Sequence, residues 1–262
     1  MSRTDETTTA SLVRRIVVTV SFIICVIGSM VGVGLFGGTE ISEAAGGLLS
    51  SDATHLAPAS GAFSVWTLIY IMLGIYTIWQ WWDRADRRGI GWLIAASLLL
   101  NAGWILSVQA GQVWLSVVVI AALLAVLAAA FRQILITRPA GNVEIVAVDG
   151  TVGLYLGWVC VAIAANIAAA LAGAGFTGAG YPQWWAVGVL AAVAAVGVAL
   201  AVVGRGRLAV AATLVWGLVW IAVGRTDEPE STVTAVAAGA AAAVVTVATV
   251  VMRLRARGDR AT

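Results

Sequence analysis

The stretch that decides the fold is residues 58–82, PASGAFSVWTLIYIMLGIYTIWQWW. It has almost no charge and reaches the ~20 residues that a helix needs to cross a bilayer. At helical spacing, one face carries aromatic rings with small residues beneath them: Phe63, Trp66, Tyr70, Gly74 and Thr77. We interpret this face as one wall of a ligand pocket. The alternative is a core or lipid-facing helix whose Trp residues mark the membrane interface.

Composition places the chain among membrane proteins. Hydrophobic residues make up 61% of it and charged residues 11%, with a mean hydropathy of +0.99. These values exceed those of soluble domains, so we predict an all-α integral membrane protein whose first partner is the lipid bilayer. Nucleic acid is not predicted as a partner. Cys25 and Cys160 both lie in apolar runs, which predicts buried thiols rather than a disulfide.

Eight apolar runs predict eight transmembrane helices. They cover residues 16–36, 61–82, 91–109, 113–135, 149–172, 184–203, 208–223 and 232–252. With a cytoplasmic N-terminus, every arginine except Arg225 falls on the cytoplasmic side, as the positive-inside rule requires. We therefore predict a plasma-membrane protein, bacterial in type, with polar cytoplasmic tails at residues 1–15 and 253–262. The first run exceeds a signal-peptide core, so it is predicted to be a retained helix.

The sequence contains no recognisable catalytic or metal-binding motif. No charged residue lies near the middle of a predicted span, which disfavours an ion-coupled pump. Asp149 begins the fifth run and is predicted to cap that helix. His55, the single histidine, is predicted to be a solvated loop residue, with haem ligation as the lesser alternative. We predict no catalytic residue and no metal site, and leave open whether the protein is an enzyme.

Two asparagines lie inside predicted spans, Asn101 in the third helix and Asn166 in the fifth. A buried amide must find a partner, so each either joins helices or contacts a ligand. Each shares a helix face with aromatic residues, which are Trp104 on the third helix and Tyr155 and Trp158 on the fifth, together with Ala162. At ~1.5 Å rise per residue, Tyr70, Asn101 and Asn166 reach a similar depth, with Trp158 below them as a floor. These positions predict an apolar, aromatic pocket covered by the acidic loop of residues 37–60.

Three segments carry a resemblance to a known family. After Pro58, AFSVWTLIY (62–70) resembles the second-helix motif of the TspO/translocator protein family, the tryptophan-rich sensory proteins. LLNAGW (99–104) is similar to its third-helix motif, and YLGWVCVAIAANIAAAL (155–171) to its fifth. The resemblance covers residues 16–173. Residues 184–252 are predicted to add three transmembrane helices outside this five-helix domain.

The resemblance implies a TspO-like five-helix bundle, commonly dimeric, that binds porphyrins and related hydrophobic ligands beneath its first loop. It implies no required cofactor, with a porphyrin or haem-like ligand instead. Together, the residues and the resemblance predict these ligand-binding residues: Phe63, Trp66, Tyr70, Asn101, Trp104, Tyr155, Trp158, Ala162 and Asn166. The predicted function is a membrane receptor or sensor linked to tetrapyrrole transport or degradation. A small-solute permease and a tetrapyrrole-degrading enzyme are the alternatives.

Overall fold

Eight long helices form the protein, and a computed structural model describes residues 3–83 and 85–259 of it. In chain order they are α1 (Arg3–Gly32), α2 (Val65–Trp79), α3 (Gly91–Gln109), α4 (Val113–Ile136), α5 (Thr151–Gly173), α6 (Pro182–Val203), α7 (Leu208–Gly224) and α8 (Thr232–Gly258). A helical turn at Asn142–Glu144 and a π-helical segment at Ile145–Gly150 lead directly into α5. Within the described residues, the only β-type pairing is an isolated bridge between Val33 and Glu40.

The helices are long and apolar enough to span a membrane. Seven candidate spans contain at least 18 residues with high hydropathy, and the one that includes α2 begins at Ser60, in the helical turn before it. The eighth, α7, has 17 residues and lies at the short end of the ~17–25 residues seen in spans. Large apolar side chains such as Ile23, Val118 and Val247 are exposed on the outer faces, where lipid would cover them. The prediction of an all-α membrane protein with eight helices is confirmed.

Helix boundaries differ most from the prediction in the first and the last helix. The first helix begins at Arg3 rather than residue 16 and ends at Gly32. Residues 3–15 contain neither Pro nor Gly, so nothing stops the helix from continuing beyond the apolar run. The last helix continues to Gly258, because arginines near a helix C-terminus interact favourably with the helix dipole. Arg84 and Arg260, used in the charge assignment, lie outside the described residues.

Helix α5 occupies the centre of the bundle. It packs against α2 and α4 on one side and along α7 on the other, while α6 reaches the bundle mainly through α8. Glycines bring α5 and α7 together: a Cβ atom on Gly153 would lie 2.7 Å from Ala209, and one on Gly217 would lie 2.9 Å from Val161. Small residues permit this close approach between membrane helices. Of the three C-terminal helices, α7 thus packs directly along α5, the helix that carries four of the nine predicted site residues, whereas α8 packs on α6 and α7.

One end of the bundle is rich in arginine, and we call it the arginine-rich end. Arg88 is buried there, with its guanidinium 2.8 Å from the Asp149 carboxylate and 3.8 Å from that of Glu144. Asp149 also pairs with Arg207, which precedes α7. The predicted role of Asp149 as a helix cap is wrong. Its carboxylate joins two arginines from distant parts of the chain, and it lies in the π-helical segment rather than at a helix start.

The first loop, residues 33–64, covers the opposite end, which we call the capped end. Gln109 of α3 and Thr39 exchange two hydrogen bonds, of 2.5 and 3.1 Å. At the far end of the loop, the Ala59 amide donates to the Trp220 carbonyl, and the Trp216 indole donates to the Ala62 carbonyl, both at 3.0 Å. The loop is therefore fastened to α3 and to α7.

Candidate functional site

A cavity lies between α2, α3, α4 and α5 beneath the first loop, and we call it the aromatic cavity; its free interior space is about 50 Å³. Seven of the nine predicted ligand-binding residues line it: Phe63, Trp66, Asn101, Trp104, Trp158, Ala162 and Asn166. The other two, Tyr70 and Tyr155, lie behind the lining and contact the Trp66 ring. The structure thus brings all nine predicted residues together. Binding by these residues stays a prediction.

The Trp66 indole is the centre of the aromatic wall. It stacks on Tyr70 with ring centroids 5.4 Å apart, and meets Tyr155 and Trp158 edge to face at 6.0 and 6.1 Å. Phe63 meets Trp158 edge to face at 6.2 Å. Such pairs contribute about 0.5–1.5 kcal/mol each beyond simple burial, so the rings hold one another in fixed orientations. These rings therefore form a rigid, apolar wall of the cavity.

Asn166 connects three helices at the edge of the cavity. Its side-chain oxygen accepts a 2.6 Å hydrogen bond from the Trp104 indole, and its amide nitrogen donates to the Ser116 hydroxyl at 2.9 Å. Ser116 in turn donates to the Val113 carbonyl of its own helix at 2.6 Å. Asn166 therefore joins α5 to α3 and α4, and Ser116 is the partner that the sequence analysis missed. A small polar residue inside an apolar run was the available signal.

Asn101 is only partly satisfied. Its amide nitrogen lies 3.0 Å from the Tyr70 hydroxyl and 3.2 Å from the Cys25 sulfur. Its side-chain oxygen is buried and has no hydrogen-bond partner within the described part of the chain, and the same is true of the Trp158 indole nitrogen. Leaving such groups unpaired costs about 1–3 kcal/mol each. The cavity thus offers these two groups to a bound molecule, together with the Thr54 hydroxyl of the first loop, which is also buried and unpaired within the described residues.

The first loop forms the roof of the cavity through Ile41, Leu48, Leu49, Thr54, Ala57 and Pro58. Arg225, at the end of α7, holds this roof in place. Its buried guanidinium donates to the carbonyls of Ser51 at 2.7 Å, Thr54 at 2.8 Å and Ala57 at 3.2 Å. From the sequence, Arg225 was identified only as the one arginine that does not lie on the predicted cytoplasmic side, and its contacts with the first loop were not predicted. Its position, as the single arginine between otherwise acidic segments, was the signal.

Two titratable groups lie in the roof. A hydrogen bond from the Ser50 hydroxyl lowers the pKa of the exposed Asp52 carboxyl, which is ionised at neutral pH. Burial, together with the Arg225 charge, lowers the pKa of His55, which is neutral there. His55 is half-buried rather than freely solvated, and it lines a different cavity from the aromatic one. No cluster of three potential metal ligands occurs among the described residues.

The geometry described above coincides with a match to a protein family. The sequence profile of one protein family, which is described as "TSPO-like protein", matches residues 15–251 of the chain. The chain belongs to this family. The match confirms the resemblance of residues 16–173 and extends beyond it through α6, α7 and α8, so the three additional helices are part of the TSPO-like region. Neither the curated proteins nor the solved structures show a match to this TSPO-like protein.

Proposed function

We propose that this TSPO-like protein is a membrane receptor that binds a flat, hydrophobic ligand of the tetrapyrrole class in the aromatic cavity. The observation that carries the proposal is the convergence of Trp66, Trp104 and Trp158 from three helices on one enclosed space. The free space inside this closed cavity is only about 50 Å³, so a tetrapyrrole enters it only when the first loop or the helices move apart.

The unpaired polar atoms support the same ligand class. A tetrapyrrole carries pyrrole N–H donors and, at its edge, oxygen acceptors. The free Asn101 oxygen would accept from the former, and the Trp158 indole would donate to the latter. The indole faces would stack on the macrocycle, and stacking of this kind is favourable in an apolar site. Because the roof is anchored by Arg225, ligand entry requires movement of the first loop or access between the helices.

The test is a titration of protoporphyrin into the purified protein in nanodiscs, followed by the absorbance of the porphyrin. Reading the ligand rather than Trp fluorescence avoids removing the reporter with the mutation. The variant is Trp66→Phe combined with Trp158→Phe, which keeps aromatic packing but reduces the stacking surface and removes the free indole donor. We expect the dissociation constant to rise about tenfold or more, from a loss of about 1–3 kcal/mol over two stacking contacts.

The matched control is Trp82→Phe. Trp82 lies at the arginine-rich end and is 74% exposed, so the change is chemically the same but remote from the cavity. Its dissociation constant should equal that of the parent protein. If the double variant also binds like the parent, or if neither protein binds with saturation, the receptor proposal is wrong.

A further inference from the structure

A second and larger cavity lies on the other side of α5. It runs between α5 and α6 and encloses about 1,610 Å³, counted out to its open side; we call it the lateral groove. The groove exists because α6 packs mainly on α8 and touches α5 at only a few points. Neighbouring α5 residues face the two spaces: Val159 and Ala162 line the aromatic cavity, while Cys160 and Ile163 line the groove.

The groove has the length of one leaflet of a bilayer. Its α5 side runs from Cys160 to Ala172, and its α6 side from Pro182 to Val196. At ~1.5 Å per residue these segments are roughly 18 and 21 Å long. Half of the ~30 Å hydrocarbon core is about 15 Å. An extended apolar chain, or a fused ring system of similar length, therefore fits with its polar end at the capped end.

The side chains of the groove are polar at one end only. The walls along α5 and α6 are Ala, Val, Ile and Leu with Cys160, whereas Asp52, His55, Thr177, Pro182 and Trp185 lie at the capped end. No arginine lines the groove. A ligand that matches this pattern is amphiphilic, with a long apolar body and one polar group.

Charge at the mouth decides which polar group fits. Asp52 lines the mouth and is exposed, and Pro229, which also lines it, lies between the exposed residues Glu228 and Glu230. The nearest basic side chain is Arg225, whose guanidinium is buried and donates to the carbonyls of Ser51, Thr54 and Ala57. The mouth is therefore negative at neutral pH. Opposite charges attract and like charges repel, so a cationic group is favoured there and a carboxylate or phosphate is disfavoured.

We propose that the lateral groove binds an amphiphilic amine, with the apolar body between α5 and α6 and the ammonium group beside Asp52. This site is distinct from the aromatic cavity, and the proposal does not depend on tetrapyrrole binding. Thr54 lines both spaces, so both ligands would contact the same segment of the first loop.

Three photoreactive probes test the proposal. They share one alkyl chain with a diazirine and differ in the terminal group, which is an ammonium, a hydroxyl or a carboxylate. The full-length protein is labelled in vesicles of phosphatidylcholine, which carry no net charge, and labelled residues are mapped by mass spectrometry. We expect saturable labelling of groove residues such as Ile163, Ile167 and Val193 by the ammonium probe, about fivefold above the carboxylate probe.

Two pairs of variants separate the site from its surroundings. Ala164→Phe fills the groove and should abolish saturable labelling, whereas Ala195→Phe, on the exposed face of α6 outside the groove, should not. Asp52→Asn should bring ammonium labelling down to that of the hydroxyl probe. Glu43→Gln removes an equally exposed carboxylate from the same loop and should leave the preference intact.

The outcomes are distinguishable from those of the tetrapyrrole test. Saturable labelling that is equal for all three head groups would mean that ordinary lipid fills the groove, and the proposal would be wrong. Labelling that does not saturate, or that survives Ala164→Phe, would also overturn it. Because Asp52 is exposed, Asp52→Asn remains informative even if Ala164→Phe does not fold. Protoporphyrin titration of the Asp52→Asn protein should give the parent dissociation constant, since Asp52 does not line the aromatic cavity.

Discussion

Two buried asparagines that looked equivalent in the sequence have different surroundings. Both Asn166 side-chain atoms are paired with protein groups, the Trp104 indole and the Ser116 hydroxyl, so this amide joins helices. Asn101 keeps its oxygen unpaired beside the aromatic cavity, so it is the amide that remains available to a ligand. The sequence located both groups at a similar depth. It could not separate their roles, because these depend on partners on other helices, 31 to 76 residues away along the chain.

The Asn166–Trp104 pair can be measured by a double-mutant cycle. Asn166→Ala leaves the buried Trp104 indole without an acceptor, and we expect the free energy of unfolding to fall by about 0.5–2 kcal/mol. Trp104→Phe alone should cost a similar amount. Combined, the two changes should cost less than their sum, because the second removes a donor that the first had already left unpaired. Strict additivity in micelle unfolding experiments would show that the 2.6 Å bond contributes nothing.

The structure contradicts the role of helix cap that was predicted for Asp149. A carboxylate at the start of an apolar run usually caps a helix. Here the preceding residues 142–148 are also helical, which places Asp149 inside a continuous helix where its carboxylate faces Arg88 and Arg207. Arg88 and Arg207 are 61 and 58 positions away from Asp149 along the chain, on opposite sides of it in sequence. Local pattern rules contain no information about such pairs.

At the scale of elements, α7 joins the C-terminal helices to the predicted site. Its glycine contacts hold it close against α5. The Trp216 indole and the Trp220 carbonyl form hydrogen bonds with the end of the first loop, and Arg225 holds the middle of that loop. The roof of the aromatic cavity therefore depends on a helix outside the five that first suggested the family. This dependence agrees with the family match, which continues beyond the first five helices to residue 251.

The α7 tether predicts a specific effect of Arg225→Ala. Hydrogen bonds from a charged donor contribute about 1.5–3 kcal/mol each, and the change removes those to Ser51, Thr54 and Ala57. We expect the amide hydrogens of residues 48–58 to exchange at least about tenfold faster, and protoporphyrin affinity to fall in parallel.

Arg255→Ala, an exposed arginine near the C-terminal end of α8, is the matched control. It should change neither exchange of the first loop nor affinity. Unchanged exchange in the Arg225→Ala protein would mean that the loop is held by its other contacts alone.

Helices were more predictable than their connections. The apolar runs predicted α3 at residues 91–109, which are its bounds in the structure. Short polar turns correctly predicted the breaks between α3 and α4 and between α6 and α7. Polar continuations were missed, because Arg3–Arg15 and Arg253–Gly258 carry no apolar signal although they form helix. The aromatic lining was found from periodicity within single helices. The lateral groove was not predicted, since it arises from a gap between α5 and α6, and no pattern within a single helix indicates such a gap.

At the scale of the whole molecule, charge is distributed unequally between the two ends. The arginine-rich end carries most of the described arginines: Arg14, Arg15, Arg87, Arg88, Arg132, Arg138, Arg205, Arg207, Arg253, Arg255 and Arg257. At the capped end, Arg225 is the single arginine within the described residues, and it is accompanied by Glu40, Glu43, Asp52 and the acidic segment 227–230. The eight helices alternate in direction, so that the start of α1 and the end of α8 both lie at the arginine-rich end.

The positive-inside rule then predicts the orientation in the membrane. Two introduced cysteines, each in a separate variant, test it: Asp227→Cys at the capped end and Arg257→Cys at the arginine-rich end, both at exposed positions. In intact cells, a membrane-impermeant maleimide should label Asp227→Cys and not Arg257→Cys, and permeabilisation should make both reactive. The native thiols of Cys25 and Cys160 are buried, and the parent protein supplies the background. If Arg257→Cys alone were labelled in intact cells, the protein would have the opposite orientation in the membrane. The first loop and the mouth of the lateral groove would then face the cytoplasm.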